Sequence, residues 1–301
     1  MQGRESTLSA LRFARPSFVQ TTTTVVQMTE LFELEWMGGV AEHHYRKARP
    51  GVDDFAWHTL DGAHYAPELC AAAREVWTNL ALSEYAAITS FAEVVSALSR
   101  VRAPLDLIGM TSDFLADEVR HVELASRVVM QLGGALPRAF EPARLAPVLA
   151  NELTPLQRAN ELALRVGCIA EAFAGRTAMR ILRDTTHPLL RDVYSSILAD
   201  EARHRRFGSL YFEWAGERLD DAERRRLGSV AVRALADYRP LWSSQAEAPA
   251  GITPEQAHEL GWLERERYCP MVRDVVRGEI VPQLRALELM LPEAELAQLL
   301  R

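Results

Sequence analysis

The chain has 301 residues, 48% hydrophobic and 25% charged, with a formal net charge of −7, which is enough for a sizeable buried core in one large domain or two smaller ones. Its charges are mixed along the chain, with no basic tail or stripe, which excludes an electrostatic nucleic-acid footprint and a polybasic membrane binder. No run of about 18 apolar residues exists, which excludes a transmembrane helix.

Three widely spaced cysteines, Cys70, Cys168 and Cys269, form neither a disulfide framework nor a C-x-x-C zinc site. The first residues lack the continuous apolar stretch of a secretory signal. A reduced, cytoplasmic protein is expected.

Residues 1–27, with Pro16 and the run Thr21 to Thr24, read as an irregular arm. Thr29 to about Arg46 has a helical pattern weakened by Gly38 and Gly39. From Pro67 the chain becomes strongly helical, and a first long Ala- and Leu-rich helix runs to about Arg100. Pro104 opens a second, which stops at Gly133-Gly134. A Pro-rich connection follows, long enough to cross a bundle end to end. Thr154-Pro155-Leu156-Gln157 is a capping box that starts a third helix, running to about Arg183. Pro188 opens the fourth. The segment from Asp220 is helical again, interrupted around 238–251, with a second capping box at Thr253 to Gln256. Strand signals are nearly absent. The expected fold is therefore all-α: a four-helix bundle with one crossover over 67–220, an N-terminal arm and helix over 1–66, and a C-terminal helical extension over 221–301, in the same domain or as a lid.

The second and fourth helices carry nearly the same words, "LADEVRHVE" and "LADEARHRR". Each places a Glu and a His at i, i+3 on one helix face: Glu118 with His121, and Glu201 with His204. A metal site needs further ligands converging from the other two helices. On the third helix, Glu171 lies in "GCIAEAFAG", where an unpaired carboxylate would be costly; Glu161 sits in a more polar turn beside Arg158 and Arg165. On the first helix, Glu84 and Glu93 fall on opposite sides at about 3.6 residues per turn. The internal repeat selects Glu84, whose distance before Pro104 matches that of Glu171 before Pro188 to within about a turn. The set is then one Glu from each of two helices and Glu-x-x-His from each of the other two. Such oxygen-rich ligands with one imidazole per metal suit two iron ions, or a mixed Mn/Fe or two-Mn pair, better than zinc.

On these residues the sequence resembles the ferritin-like di-iron carboxylate superfamily, which includes rubrerythrins, acyl-carrier-protein desaturases, bacterial multicomponent monooxygenases and p-aminobenzoate N-oxygenase. The resemblance covers roughly 70–220. It implies that Asp117 and Asp200 hold the imidazole N–H groups, and that Arg120 and Arg203 pair with these acids. It also implies an enzyme that uses O2 to oxidise a small organic substrate by hydroxylation, desaturation or N-oxidation, with electrons from an external donor. A homodimer is compatible with the sequence. Two departures stand out: many hydroxylases carry a Thr near Ala174 and Gly175, and the N-oxygenase carries a further His where this chain has Ile197. A rubrerythrin-like peroxidase or ferroxidase is the second reading. It is weakened because Cys168 stands where rubrerythrins often place a further Glu, and three scattered cysteines cannot build a four-cysteine rubredoxin domain. A non-catalytic metal-binding bundle ranks last. Cys168, Ala174, Gly175, Tyr194 and Tyr211 are candidates for a pocket beside the metals; the alternative for each is packing.

Overall fold

The structure, a computed structural model, describes residues 30–243 and 251–301. The N-terminal arm, and part of the interruption expected around 238–251, lie outside the described residues. The described chain is all-α apart from one short ribbon, β1 (Glu30–Leu31) paired antiparallel with β2 (Ala139–Phe140). Helix α1 spans Gly39–Ala48. The bundle is α2 (Pro67–Arg100), α3 (Leu105–Gln131), the pair α4 (Pro155–Leu162) and α5 (Glu171–Asp184), and α6 (Pro188–Ala215). After it come α7 (Asp221–Asp237), α8 (Arg239–Ser243), α9 (Pro254–Glu259), α10 (Arg265–Val275), α11 (Val281–Ala286) and α12 (Glu293–Leu299). No described helix is long and apolar enough to cross a membrane.

Local signals explain most boundaries. Thr154 and Thr253 both form the expected capping boxes, each accepting from the backbone N–H of a Gln whose side chain reaches back. Pro67, Pro155 and Pro188 sit in first turns, where the missing N–H costs nothing. Gly133 and Gly134 end α3 at φ 110° and 97°. One expectation is corrected. The helix read from Thr29 begins only at Gly39, because Gly38 and Gly39 take φ 75° and 60°, which a right-handed helix cannot pass through. Of the described residues before them, 30–31 form β1 and 32–38 take no regular structure.

A second difference lies between α4 and α5, where Ala163–Ala170 winds as a π-helix. Residues after this wider turn are rotated relative to an unbroken α-helix, and the first of them is Glu171.

Two apolar clusters fill the bundle. One contains Trp77, Ala81, Leu124, Leu190, Tyr194 and Ile197. The other contains Phe91, Phe114, Ile169, Phe207 and residues of α7, α10, α11 and α12, so the C-terminal helices share a core with the bundle. Each large side chain buried there contributes about 1.5–3 kcal/mol. Along α2, α3 and α6 the boundary between the clusters falls at Glu84, at Glu118 and His121, and at Glu201 and His204. A polar layer thus crosses the middle of the bundle.

The small residues before and after Glu171 serve close helix approach. A Cβ on Gly208 of α6 would lie 2.5 Å from Cys168 Sγ and 2.9 Å from Cys168 N. Gly208→Ala is expected to destabilise the fold by about 1–3 kcal/mol through overpacking. Chemical denaturation checks this against Gly216→Ala, whose new methyl meets nothing within 4 Å. Equal midpoints for the two variants would refute the packing argument.

Candidate metal centre

Six side chains meet in the polar layer, drawn from all four long helical runs of the bundle. Glu84 comes from α2, Glu118 and His121 from α3, Glu171 from α5, and Glu201 and His204 from α6. All six are buried, the histidines completely. Their ligand atoms form two overlapping groups, Glu84 with Glu118, His121 and Glu201, and Glu118 with Glu171, Glu201 and His204; within each group these atoms lie within 4.8 Å of one another. Glu118 and Glu201 belong to both. The imidazole centroids are 5.9 Å apart.

The donors face one another without satisfying one another. His204 Nδ1 is 3.0 Å from Glu118 and 3.3 Å from Glu171, and His121 Nδ1 is 3.5 Å from Glu118 and 3.6 Å from Glu84. Yet neither Nδ1 atom has a hydrogen-bond partner of acceptable geometry, nor do both oxygens of Glu118 or one oxygen each of Glu171 and Glu201. Buried polar atoms are normally paired. Glu161, on the same helical run as Glu171 and also fully buried, shows the difference. One of its oxygens accepts from Arg165 at 3.0 Å and the other from Arg226 at 2.6 Å. Glu93, the rejected alternative on α2, pairs with Arg158 at the surface.

Outward from the cluster the two repeats cross over. The Nε2 of His204 faces Asp117 of α3 at 3.3 Å, and the Nε2 of His121 faces Asp200 of α6 at 3.4 Å. Each Asp therefore serves the histidine of the other copy. A proton on Nε2 donated to the Asp leaves the Nδ1 lone pair directed at the cluster. Arg120 donates to Asp200, while Arg203 donates to both Asp117 and Asp200. Arg49, at the end of α1, lies 3.3 Å from the other oxygen of Asp117 and donates to Asp113. Sequence reasoning missed Arg49, which follows no motif, and also Phe91 and Phe114. These two rings close over His204 at 5.5 and 4.1 Å.

Charge in the cluster is arranged by burial first. Burial and the neighbouring Glu118 and Glu201 push the Glu84 carboxyl up to about 8, although His121 pulls the other way. Burial, with Glu201 close by, likewise holds Glu171 well above the usual carboxylate range. Glu118 is the opposite case: burial would raise it, but His121 and His204 outweigh that and hold it at about 2. Burial opposes charge on both imidazoles, yet the carboxylates around them raise both.

The five candidate pocket positions are spread apart. Cys168 is fully buried against Gly208, and Ala174 is exposed. The face of Gly175 is covered by Arg205. Tyr194 donates to the carbonyl of Gly261 and stacks near Trp77 at 5.0 Å, and Tyr211 donates to Asn160. Ile197 is buried in the apolar cluster beside Tyr194.

Among curated proteins no match was found. Compared with known protein families, residues 108–280, more than half of the chain, match the family described as p-aminobenzoate N-oxygenase AurF. The matched stretch contains five of the six clustered residues; Glu84 precedes it. Together with the buried carboxylate and histidine cluster, this match places the chain in the p-aminobenzoate N-oxygenase AurF family of ferritin-like di-iron oxygenases.

Proposed function

We propose that Glu84, Glu118, His121, Glu171, Glu201 and His204 hold two iron ions, and that the protein uses O2 to oxidise the nitrogen of an aromatic amine. The observation that carries the metal assignment is the set of buried donor atoms that converge without hydrogen-bond partners. The chemistry of the set fits as well: four carboxylates balance the charge of two divalent ions, and oxygen-rich ligands with imidazole favour iron or manganese. The family description names p-aminobenzoate, and from it we take the substrate class, an amine on an aromatic ring.

Held there, a pair of iron ions would supply the binding and reductive activation of O2. The chain's own residues do the rest. Asp117 and Asp200 fix the tautomer and ring orientation of His204 and His121. Arg49, Arg120 and Arg203 hold those acids in place from outside. Phe91 and Phe114 keep water from His204, so the polar layer stays in a low-dielectric surround. The two apolar clusters that flank the layer pack the helices on either side of the ligands, which keeps the donor positions rigid. The overall reaction, amine plus O2 plus two electrons and two protons to hydroxylamine plus water, requires an external electron donor.

The test is iron-loaded protein with a chemical reductant, O2 and 4-aminobenzoate. About two iron ions per chain and an N-oxidised product are expected. Oxygen consumption that is unchanged by the amine and yields no N-oxidised product would move the protein to the peroxidase or ferroxidase reading.

A further inference from the structure

Arg205 follows His204 on α6 but points the other way. Its guanidinium crosses to α5 and covers Gly175, where an added Cβ would lie 2.5 Å from Nη1. That Nη1 atom is sealed against α5 without a hydrogen-bond partner, so the rest of the guanidinium is what Arg205 leaves open toward the neighbouring groove. Nearby arginines are provided for: Arg203 pairs with Asp113, Asp117 and Asp200, and Arg176 and Arg180 share Glu279. Neither Arg205 nor the adjacent Arg206 forms an ion pair with a described residue.

These two arginines line an open groove of about 400 Å³ together with Arg176, Ser209, Leu210 and Gln283. Its polar lining is built from donors. Arg176, Arg205, Arg206 and Ser209 supply its polar lining, and Gln283 has its amide oxygen occupied by Arg176. The nearby carboxylate of Glu279 is already engaged by Arg176 and Arg180. A groove that offers donors and positive charge, in a chain of net charge −7, selects an anion.

We propose that this groove binds the carboxylate or phosphate group of a small molecule, held by Arg205 and Arg206. The site is outside the metal centre, since Arg206, Ser209 and Leu210 are on the exposed face of α6 while Glu201 and His204 face inward. It spans α5, α6 and α11, so an occupant ties together the two helices that carry Glu171, Glu201 and His204. This proposal stands apart from the oxidation chemistry.

Isothermal titration of the purified protein with inorganic phosphate and with benzoate, at constant ionic strength, tests it. Binding of at least one probe in the millimolar range or tighter is expected, and the tighter one identifies the group. Arg205→Gln is expected to weaken that binding at least tenfold, roughly the loss of one charge-assisted bond, with metal content unchanged. Arg233→Gln, the same charge change on the exposed side of α7, is expected to leave it unaltered. Absence of binding by both probes, or equal weakening by the two substitutions, overturns the proposal. Metal content is read on the same samples, so failure here leaves the metal assignment standing, and loss of the metal assignment leaves this result readable.

Discussion

Glu118→Ala and Glu201→Ala proteins are expected to lose nearly all bound metal, whereas Glu84→Ala and Glu171→Ala proteins keep about half. The reason is geometric. Glu118 and Glu201 are the two residues common to both groups of ligand atoms, while Glu84 belongs only to the His121 group and Glu171 only to the His204 group. Removing a shared carboxylate would take a donor from both groups at once and leave two bound divalent ions with less neutralising charge around them. The expected metal contents, by elemental analysis after desalting, are well below one ion per chain for the first pair and close to one for the second. Activity is expected to fall in all four by at least about a thousandfold, because the reaction requires both positions. Far-UV circular dichroism confirms that the variants are folded. Four variants with the same intermediate metal content would mean that the acids are equivalent, and the assignment of shared and separate ligands would be wrong.

Metal loading is expected to release protons, about two to four for each pair of divalent ions near neutral pH. Ligands must be deprotonated to bind. Without metal, burial raises Glu84 to about 8 and holds Glu171 well above its usual range, and the surrounding carboxylates raise His121 and His204. A group whose pKa is raised keeps its proton at a higher pH, so four groups compete with metal through that proton. Four protons carry the same charge as two divalent ions, so the exchange can be neutral within the buried layer. Apparent affinity therefore rises with pH through neutrality, and the part of that rise due to Glu84 levels off above about pH 8, where its proton is already lost. Anaerobic titration with ferrous iron in a weakly buffered indicator solution counts the protons directly. No release, or affinity that is flat from about pH 6 to about pH 9, would show that the metal-free layer is already deprotonated and that this charge balance is wrong.

Much of this arrangement was legible because helices and capping are local. The repeated Glu-x-x-His follows from helix geometry alone, and Thr154, Thr253, Pro155 and Pro188 mark helix starts through neighbours only a few residues away. Glu171 could be singled out since its apolar surroundings are written in the sequence. Other features were not legible for the same physical reason. Glu161 sits among polar neighbours in sequence but is buried, because its partner Arg226 comes from α7. The start of α1 depended on two glycines whose left-handed backbone no propensity rule prescribes. From the sequence, Cys168 and Gly175 are candidates for a pocket beside the metals, with packing as the alternative; in the fold Gly175 meets Arg205 and Cys168 meets Gly208 across the α5–α6 contact, which only the packing of the two helices decides.

By itself the sequence determined the all-α class and the repeated Glu-x-x-His, since each rests on spacing within one helix, and it pointed to Glu171 through its apolar surroundings and to Glu84 through the internal repeat. Only the tertiary structure decided how these residues combine. It showed that Glu118 and Glu201 are common to both groups, that Asp117 reaches His204 and Asp200 reaches His121 across the two repeats, and that Arg49 from a segment without any motif completes the support. Those pairings depend on how α3 and α6 are rotated and offset against each other. Packing of whole side-chain faces sets that offset, and no single stretch of chain encodes it.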